Sequence, residues 1–291
     1  MTKFAPFSLL LRGEQRLCRQ PLVMGILNAT PDSFYDRSRA LNEQAIEQRV
    51  AEMVSQGADI IDIGACSTRP GAQVVSLDDE LARLRLAMGV VRRVAPHVIT
   101  SVDTFRSHVA RVAVEELGAD MLNDVSGGTL DDDMLATVAR LNVPYVLMHM
   151  RGTPATMRQL SQYDNIVEEV IGHLASRITI LRDMGATTII ADPGFGFAKT
   201  MEQNYELLAS LERFHSLNVP LLVGLSRKSM ICNALGVTPQ QALNGTTAAH
   251  VVALMAGAHI LRVHDVREAV EARTIVSLAT NTKQDNQQIY G

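Results

Sequence analysis

Cysteine is scarce in this chain. Cys18, Cys66 and Cys232 are the only three in 291 residues. They are scattered and odd in number, and no two have the C-x-x-C spacing. That argues against a disulfide framework or a cysteine zinc site and for a reducing compartment. Positive charge is not in surplus either: 27 Lys and Arg stand against 31 Asp and Glu, a net charge of −4. A nucleic-acid-binding surface is not expected from that balance, although a local basic site is compatible with it. No apolar run approaches the roughly 18–20 residues of a membrane span, so no membrane partner is expected. The apolar piece at 7–11 meets Arg12 and Glu14 at once, too short and wrongly flanked for a secretory signal. The cytoplasm is the expected location. There is no linker, low-complexity stretch or sequence repeat beyond the pattern described next.

What the chain does have is alternation. Eight apolar runs, at 22–27, 59–64, 98–102, 121–125, 144–150, 187–191, 220–225 and 258–263, are each followed by a helical pattern. Those patterns cover 43–56, 77–94, 107–117, a segment opened by Asp131, Asp132 and Asp133, then 165–184, 203–217, two pieces flanking Gly236, and 266–279. Strict strand–helix alternation implies a parallel sheet. Eight units in one uninterrupted domain favour an α/β fold closed as a (β/α)8 TIM barrel over an open doubly wound sheet. Residues 1–20, with Arg12-Gly13-Glu14 between apolar pieces, read as an N-terminal hairpin or cap. The barrel spans 21–280, and 281–291 is a polar tail expected to fray.

Each run ends in polar residues. The first passes through Met24-Gly25-Ile26-Leu27 to Asn28, and Pro31 cannot continue it. The others deliver Thr68 with Arg69, Asp103, Asn123 with Asp124, His149, Asp192, Ser226 with Lys228, and Arg262 with His264. In a barrel all these ends face one mouth, where the active site sits. Asp103, Asn123 and Asp192 suit an amidine-like edge such as that of a pterin or a guanine, because a carboxylate accepts two parallel N–H bonds. Asn28, Arg69, Arg262 and His264 suit a polyphosphate, with Asn28 able to lend a neutral oxygen to Mg²⁺. Ser229 is expected to begin a helix, where free N–H groups attract an anion. Taken singly, each has a plainer reading as a cap or packing residue. Asp124 reads as structural, His149 as packed as readily as functional, Arg227 as a solvated loop charge, and 131–133 as a helix start.

Six motifs in order then resemble dihydropteroate synthases. They are 24–34, Ser-Thr-Arg-Pro-Gly at 67–71, Ser-Val-Asp-Thr at 101–104, Asp-Pro-Gly-Phe-Gly-Phe at 192–197, Ser-Arg-Lys-Ser at 226–229 and Arg-Val-His-Asp at 262–265. The resemblance implies a transferase of folate biosynthesis. Such an enzyme joins 6-hydroxymethyl-7,8-dihydropterin diphosphate to para-aminobenzoate and releases pyrophosphate. It also implies dependence on Mg²⁺, a homodimer and inhibition by sulfonamides. Carried onto this chain, Asp103, Asn123, Asp192, Lys228 and Arg262 hold the pterin. Asn28 (through Mg²⁺), Arg69, Arg262 and His264 hold the diphosphate. Thr68, Pro70, Phe197, Ser226 and Ser229 form the para-aminobenzoate site, and Asp36 helps order the first loop. The chemistry then falls to Asn28, Asp36, Arg69, Lys228, Arg262 and His264.

The chain departs from the family's pattern in two loops. Arg37-Ser38-Arg39 stands where two glycines are usual, and Ala65-Cys66 where Gly-Glu is usual. Without glycine a loop loses easy access to positive φ. Altered loop closure or sulfonamide response, with the pterin pocket intact, is the expectation. Two other readings remain: a pterin-binding paralogue with weak or altered synthase activity, and a pterin-dependent methyltransferase.

Overall fold

The computed structural model describes residues 4–29, 39–66, 75–153 and 156–288, except the side chains at 39–42, 158 and 281–288. The chain opens with a hairpin of β1 (Phe7–Leu11) and β2 (Glu14–Cys18), antiparallel, with Leu11 opposite Glu14. Arg12 and Gly13 turn it at φ of 53° and 82°. Two successive positive φ values are what a two-residue type I′ turn requires, and glycine adopts them without strain.

Eight parallel strands follow. They are β3 (Leu22–Asn28), β4 (Ile60–Gly64), β5 (Ile99–Asp103), β6 (Met121–Asp124), β7 (Tyr145–Met148), β8 (Ile189–Asp192), β9 (Leu222–Val223) and β10 (Ile260–Val263). Their hydrogen-bonded order is β8-β7-β6-β5-β4-β3-β10-β9, and a parallel bridge between Ala191 and Leu221 joins the two ends. The ring is the expected TIM barrel.

Nine helices surround it among the described residues: α1 (Arg39–Ser55), α2 (Leu77–Val94), α3 (Ser107–Glu115), α4 (Met134–Leu141), α5 (Ile166–Asp183), α6 (Met201–Ala209), α7 (Ser229–Leu235), α8 (Leu243–Met255) and α9 (Val266–Gln288). None is long and apolar enough to cross a membrane. Two differ from expectation. The pattern at 203–217 splits at Ser210 into α6 and a 3-10 helix over Leu211–Leu217. Its apolar residues Leu211, Phe214 and Leu217 are spaced by three, which puts all of them on one buried face when there are three residues per turn. And α9 keeps its helical backbone to Gln288, past the point at 281 where fraying was expected.

Side-chain alternation along the strands explains how the barrel is filled. Ile61, Ile63, Val102, Leu122, Leu147, Val223 and Leu261 belong to the core shared with the helices. The intervening residues face inward. At the amino-terminal end these are Ile60, Ile99, Met121, Val146, Ile190, Leu222 and Ile260, packed with Phe7, Leu9 and Leu11 of the hairpin. The hairpin thus plugs one end of the barrel. Arg12 pins it there, donating from Nε and Nη2 to the two carboxylate oxygens of Asp120 at 2.6 and 3.0 Å. Two residues further along the same inward rows the chemistry changes to Asp62, Ser101, Asn123, Asp192 and Arg262.

Candidate active site

Asp62 sits at the centre of this polar layer, with no exposed surface. Its Oδ1 accepts from Ser101 Oγ at 2.6 Å, and its Oδ2 from Asn123 Nδ2 at 3.0 Å and Arg262 Nε at 2.7 Å. A second guanidinium nitrogen of Arg262, Nη2, donates to Asp103 Oδ2 at 2.7 Å. One arginine therefore bridges two carboxylates. Burial works against its charge, but Asp62 and Asp103 outweigh burial and hold its pKa above the ordinary value. For Asp103 the balance goes the other way. Burial pushes its carboxyl up to about 7, and the attraction of Arg262 only partly opposes that.

The strand ends carry the site to the mouth. Register sets Asn28 beside Gly64, Gly64 beside Asp103 and Asp103 beside Asn123 on four adjacent strands. Gly64 keeps the gap open: a Cβ there would lie 3.8 Å from Asp103 Cβ and 3.9 Å from Asn28 Oδ1. Asn28 is exposed at the rim. Across the barrel, Asp192 accepts the Gly194 N–H at 2.7 Å. Burial raises its pKa, against the pull of Lys228. Burial lowers that of Lys228 to about 8, against the pull of Asp192. The Lys228 ammonium bonds the Phe195 carbonyl and lies 4.8 Å from the centre of the Phe197 ring. These groups can grip a flat heterocycle by its hydrogen-bonding edge, with cationic groups beside it.

On the next strand, the His264 N–H donates to Ser226 Oγ at 3.2 Å, and His264 Nδ1 is 3.0 Å from the same hydroxyl. Ser226, expected at the para-aminobenzoate site, is buried and turned to His264. Ser229 is exposed and begins α7 as expected. Arg227 is not the solvated charge its sequence context suggested. It takes a left-handed φ of 56° and forms a two-point pair with Asp265, at 2.9 and 2.6 Å.

Asn28, Asp103, Asn123, Asp192, Lys228, Arg262, His264, Phe197 and Ser226 all stand at the carboxyl ends of the strands or in the loops that follow, and Ser229 opens the helix after one of them. Asp36, Thr68, Arg69 and Pro70 lie outside the described residues, as do Arg37 and Ser38. The structural reading of Asp124 holds; Asp131 is structural too, but its side chain serves α3 rather than the helix opened by 131–133, whose N-cap Asp133 makes no side-chain cap bond. Asp124 is fully buried and accepts from Ser126 N, Ser126 Oγ, Gly128 N and Tyr145 Oη, each at 2.7 Å. Asp131 caps the start of α3 through the Ser107 N–H at 2.7 Å. Cys66 lies against the buried Glu80, and burial, with Glu80 adding, pushes its thiol up to about 12. It is no nucleophile at neutral pH.

Sequence reasoning missed Asp62. The available signal was a carboxylate inside an apolar run, on the same inward row as Gly64. It also missed Lys199, treated below. Among the described residues, no three or more His, Cys, Asp or Glu are grouped to hold a metal. Asn28, a single exposed neutral oxygen, fits only a cation that draws most of its ligands from elsewhere, as Mg²⁺ does from phosphates and water.

Comparison with known proteins follows the same lines. Residues 24–264 match the family of pterin binding enzymes. The chain is 42% identical over 269 residues to the dihydropteroate synthase of Escherichia coli K12, covering 91% of this chain and 94% of that one. Its fold is similar to that of Xanthomonas albilineans dihydropteroate synthase with 4-aminobenzoic acid (TM-score 0.86, 39% identity, 95% of this chain and 99% of the other). It is also similar to the Yersinia pestis enzyme in a sulfonamide drug complex (TM-score 0.85, 40% identity, 95% and 100%).

Proposed function

The chain belongs to the dihydropteroate synthase family of pterin-binding enzymes, and from that premise we propose how its own residues carry out the reaction. It condenses 6-hydroxymethyl-7,8-dihydropterin diphosphate with para-aminobenzoate, giving 7,8-dihydropteroate and pyrophosphate. The observation that carries this reading is the inward layer of Asp62, Asp103, Asn123 and Arg262, joined by direct bonds at 2.7–3.0 Å.

In the proposed mechanism Asp103, Asn123 and Asp192 engage the aminopyrimidinone edge of the pterin. Lys228 lies beside it, and Arg262, already fixed by two carboxylates, covers its face. Asn28, Arg69, Arg262 and His264 hold the diphosphate. When bound, Mg²⁺ would neutralise charge on the departing pyrophosphate, with Asn28 the residue of this chain placed to touch it. The bond from the exocyclic carbon to the diphosphate oxygen breaks with its electron pair leaving on pyrophosphate. The ring shares the positive charge left on carbon. The aniline nitrogen then forms the new C–N bond and loses a proton. No covalent enzyme intermediate is required, and catalysis is positioning and electrostatic stabilisation. Thr68, Pro70, Phe197 and Ser229 form the para-aminobenzoate site, with Ser226, whose hydroxyl meets His264, the less direct member. Sulfonamides compete there.

Three finer readings belong with this one. The protein acts as a homodimer: α7, α8 and α9 follow one another round the barrel and expose Leu235, Val252 and Ile275 at 55%, 47% and 64%. Sedimentation should give a dimer that Ile275→Asp dissociates; a monomer in the wild type removes the reading. The enzyme works in the cytoplasm, supported by three free cysteines. Asp36 orders the first loop, on the resemblance alone. The test of the whole is a coupled pyrophosphate assay. Pyrophosphate release that needs the pterin diphosphate, para-aminobenzoate and Mg²⁺ together is expected. Tight pterin binding with no para-aminobenzoate-dependent release would instead mark a binding paralogue.

A further inference from the structure

The loop between β8 and α6 carries Phe197 and has an irregular backbone. Gly194, Gly196 and Ala198 all take positive φ, at 72°, 80° and 50°. A Cβ on Gly194 would collide with the His149 carbonyl, so the loop passes tightly over the end of β7. With φ changing sign at alternate residues, successive carbonyls point in different directions and no ladder can take them up. Two lysine side chains take them instead. Lys228 bonds the Phe195 carbonyl. Lys199 donates to the Gly194 and Phe197 carbonyls, both at 2.9 Å, and stands 3.0 Å from His149 Nδ1. Burial holds the Lys199 pKa well below its ordinary value; the neutral amine gives its two N–H donors to the two carbonyls and its lone pair faces His149 Nδ1, whereas the ammonium uses three N–H donors on the same partners.

The third partner is suited to this. His149 is buried at the end of β7, its ring edge-on to His173 at 5.0 Å. Burial, with Lys199 adding, holds its pKa down at about 2, so its ring is neutral and Nδ1 meets Lys199 as acceptor or donor according to the tautomer. His149 in turn is held by its N–H to the Asp192 carbonyl at 3.0 Å. Lys199 therefore ties the outer half of the loop to β7 through a fixed ring nitrogen. Asp192 does not need that tie, since it lies on the strand and is held by the ladder. Phe197 does need it, because its other described loop bond is its own N–H to the Gly194 carbonyl at 3.2 Å.

We propose that Lys199 is a positioning residue for the para-aminobenzoate site, its Nζ clasping Gly194, Phe197 and His149 so that the loop presents the Phe197 ring. The proposal rests on the assignment of Phe197 to that site. It separates the two substrates: loss of the clasp falls on para-aminobenzoate and spares the pterin.

The test uses the full-length enzyme, with steady-state KM for para-aminobenzoate, calorimetric Kd for the pterin diphosphate, and melting temperature as the fold control. Lys199→Met should raise KM for para-aminobenzoate by about tenfold or more, the effect of leaving two buried carbonyls without their donor. It should leave the pterin Kd within about threefold. Lys199→Gln keeps two donors and should restore part of the KM; if the methionine variant does not fold, the glutamine variant should show the same split at a smaller factor. Phe197→Ala is run beside them. If it raises the KM and Lys199→Met and Lys199→Gln do not, the clasp is overturned while the site assignment stands. If Phe197→Ala leaves the KM unchanged, the assignment fails and takes the clasp with it. Equal losses for both substrates would make Lys199 a general strut and also overturn the proposal.

Discussion

Asp62 donates nothing and touches no mouth loop, yet it sets the aim of Asn123 and Arg262 from inside the barrel. Asp62→Asn would turn an amide N–H toward one of those donors. Removing one partner of a buried ion pair costs about 3–5 kcal/mol. Urea unfolding should therefore show a loss of that order, and pterin affinity should fall about tenfold or more as Arg262 keeps only Asp103 of its two anchors. An enzyme of wild-type affinity would reduce Asp62 to a packing residue. The neighbouring Asp103 makes the site sensitive to pH. Its carboxyl sits at about 7 against an ordinary 3.8, so the free protein holds a proton there that the unfolded chain has released. This group's contribution to stability is full below pH 3.8 and is lost as pH rises through about 7. Pterin binding needs the ionised form, so the linkage reverses. Below pH 7 binding must expel the proton, and affinity should weaken by up to about tenfold per pH unit. Above about 8 the loss of the Lys228 proton should weaken it again. Calorimetry in buffers of different ionisation heat should detect proton release near pH 6.5; a Kd flat from pH 5.5 to 7 would contradict this. Asp103, Asp192 and Arg262 were legible because they end apolar runs. Asp62 and Lys199 were not: one hides within a run and is exposed as functional only by strand parity, and the other acts only once its chain has folded back on its own loop.

The elements themselves followed the apolar runs closely, because a buried parallel strand is apolar on both faces and leaves a clear trace. What the runs did not reveal was how much of each is ladder. The run at 220–225 contains only the two-residue β9; Leu221 before it makes the bridge to Ala191, and 224–225 lead into the Ser226–Ser229 turn. That turn depends on Arg227. Its guanidinium joins the loop after β9 to Asp265 at the start of α9, and also donates to the Pro239 carbonyl at 3.1 Å. A charged residue in a polar motif gives no hint of its partner 38 residues away. With both side chains partly exposed (27% and 16%), the pair is expected to contribute about 1–2 kcal/mol, above a surface pair and below a buried one. Arg227→Met and Asp265→Asn should each lower turnover by loosening Lys228 and His264, and the double variant should lose little more than either alone. Additive losses would show that the two act separately.

At the scale of the molecule, the two ends of one barrel do different work with the same strands. The inward rows begin apolar and close over the hairpin, then turn polar toward the mouth, so a rigid plugged base supports the site. Apolar packing and chemistry therefore lie at opposite ends of the barrel axis. The barrel's existence was legible from eight alternating units, and the plug from the Arg12-Gly13 turn; that the hairpin's Phe7, Leu9 and Leu11 complete the inner layer was not, because nothing in their spacing says which end they cover.

The measurement that tests this account most directly is calorimetric titration of 6-hydroxymethyl-7,8-dihydropterin diphosphate into Asp103→Ala, beside its melting curve. Asp103 is buried at an energetic disadvantage in the free protein, and Arg262 keeps Asp62 as a partner, so the variant should melt close to the wild type. Its affinity should fall by about a hundredfold or more, as expected when a paired, charged acceptor is removed. Wild-type affinity in a folded variant would mean that the heterocycle binds elsewhere.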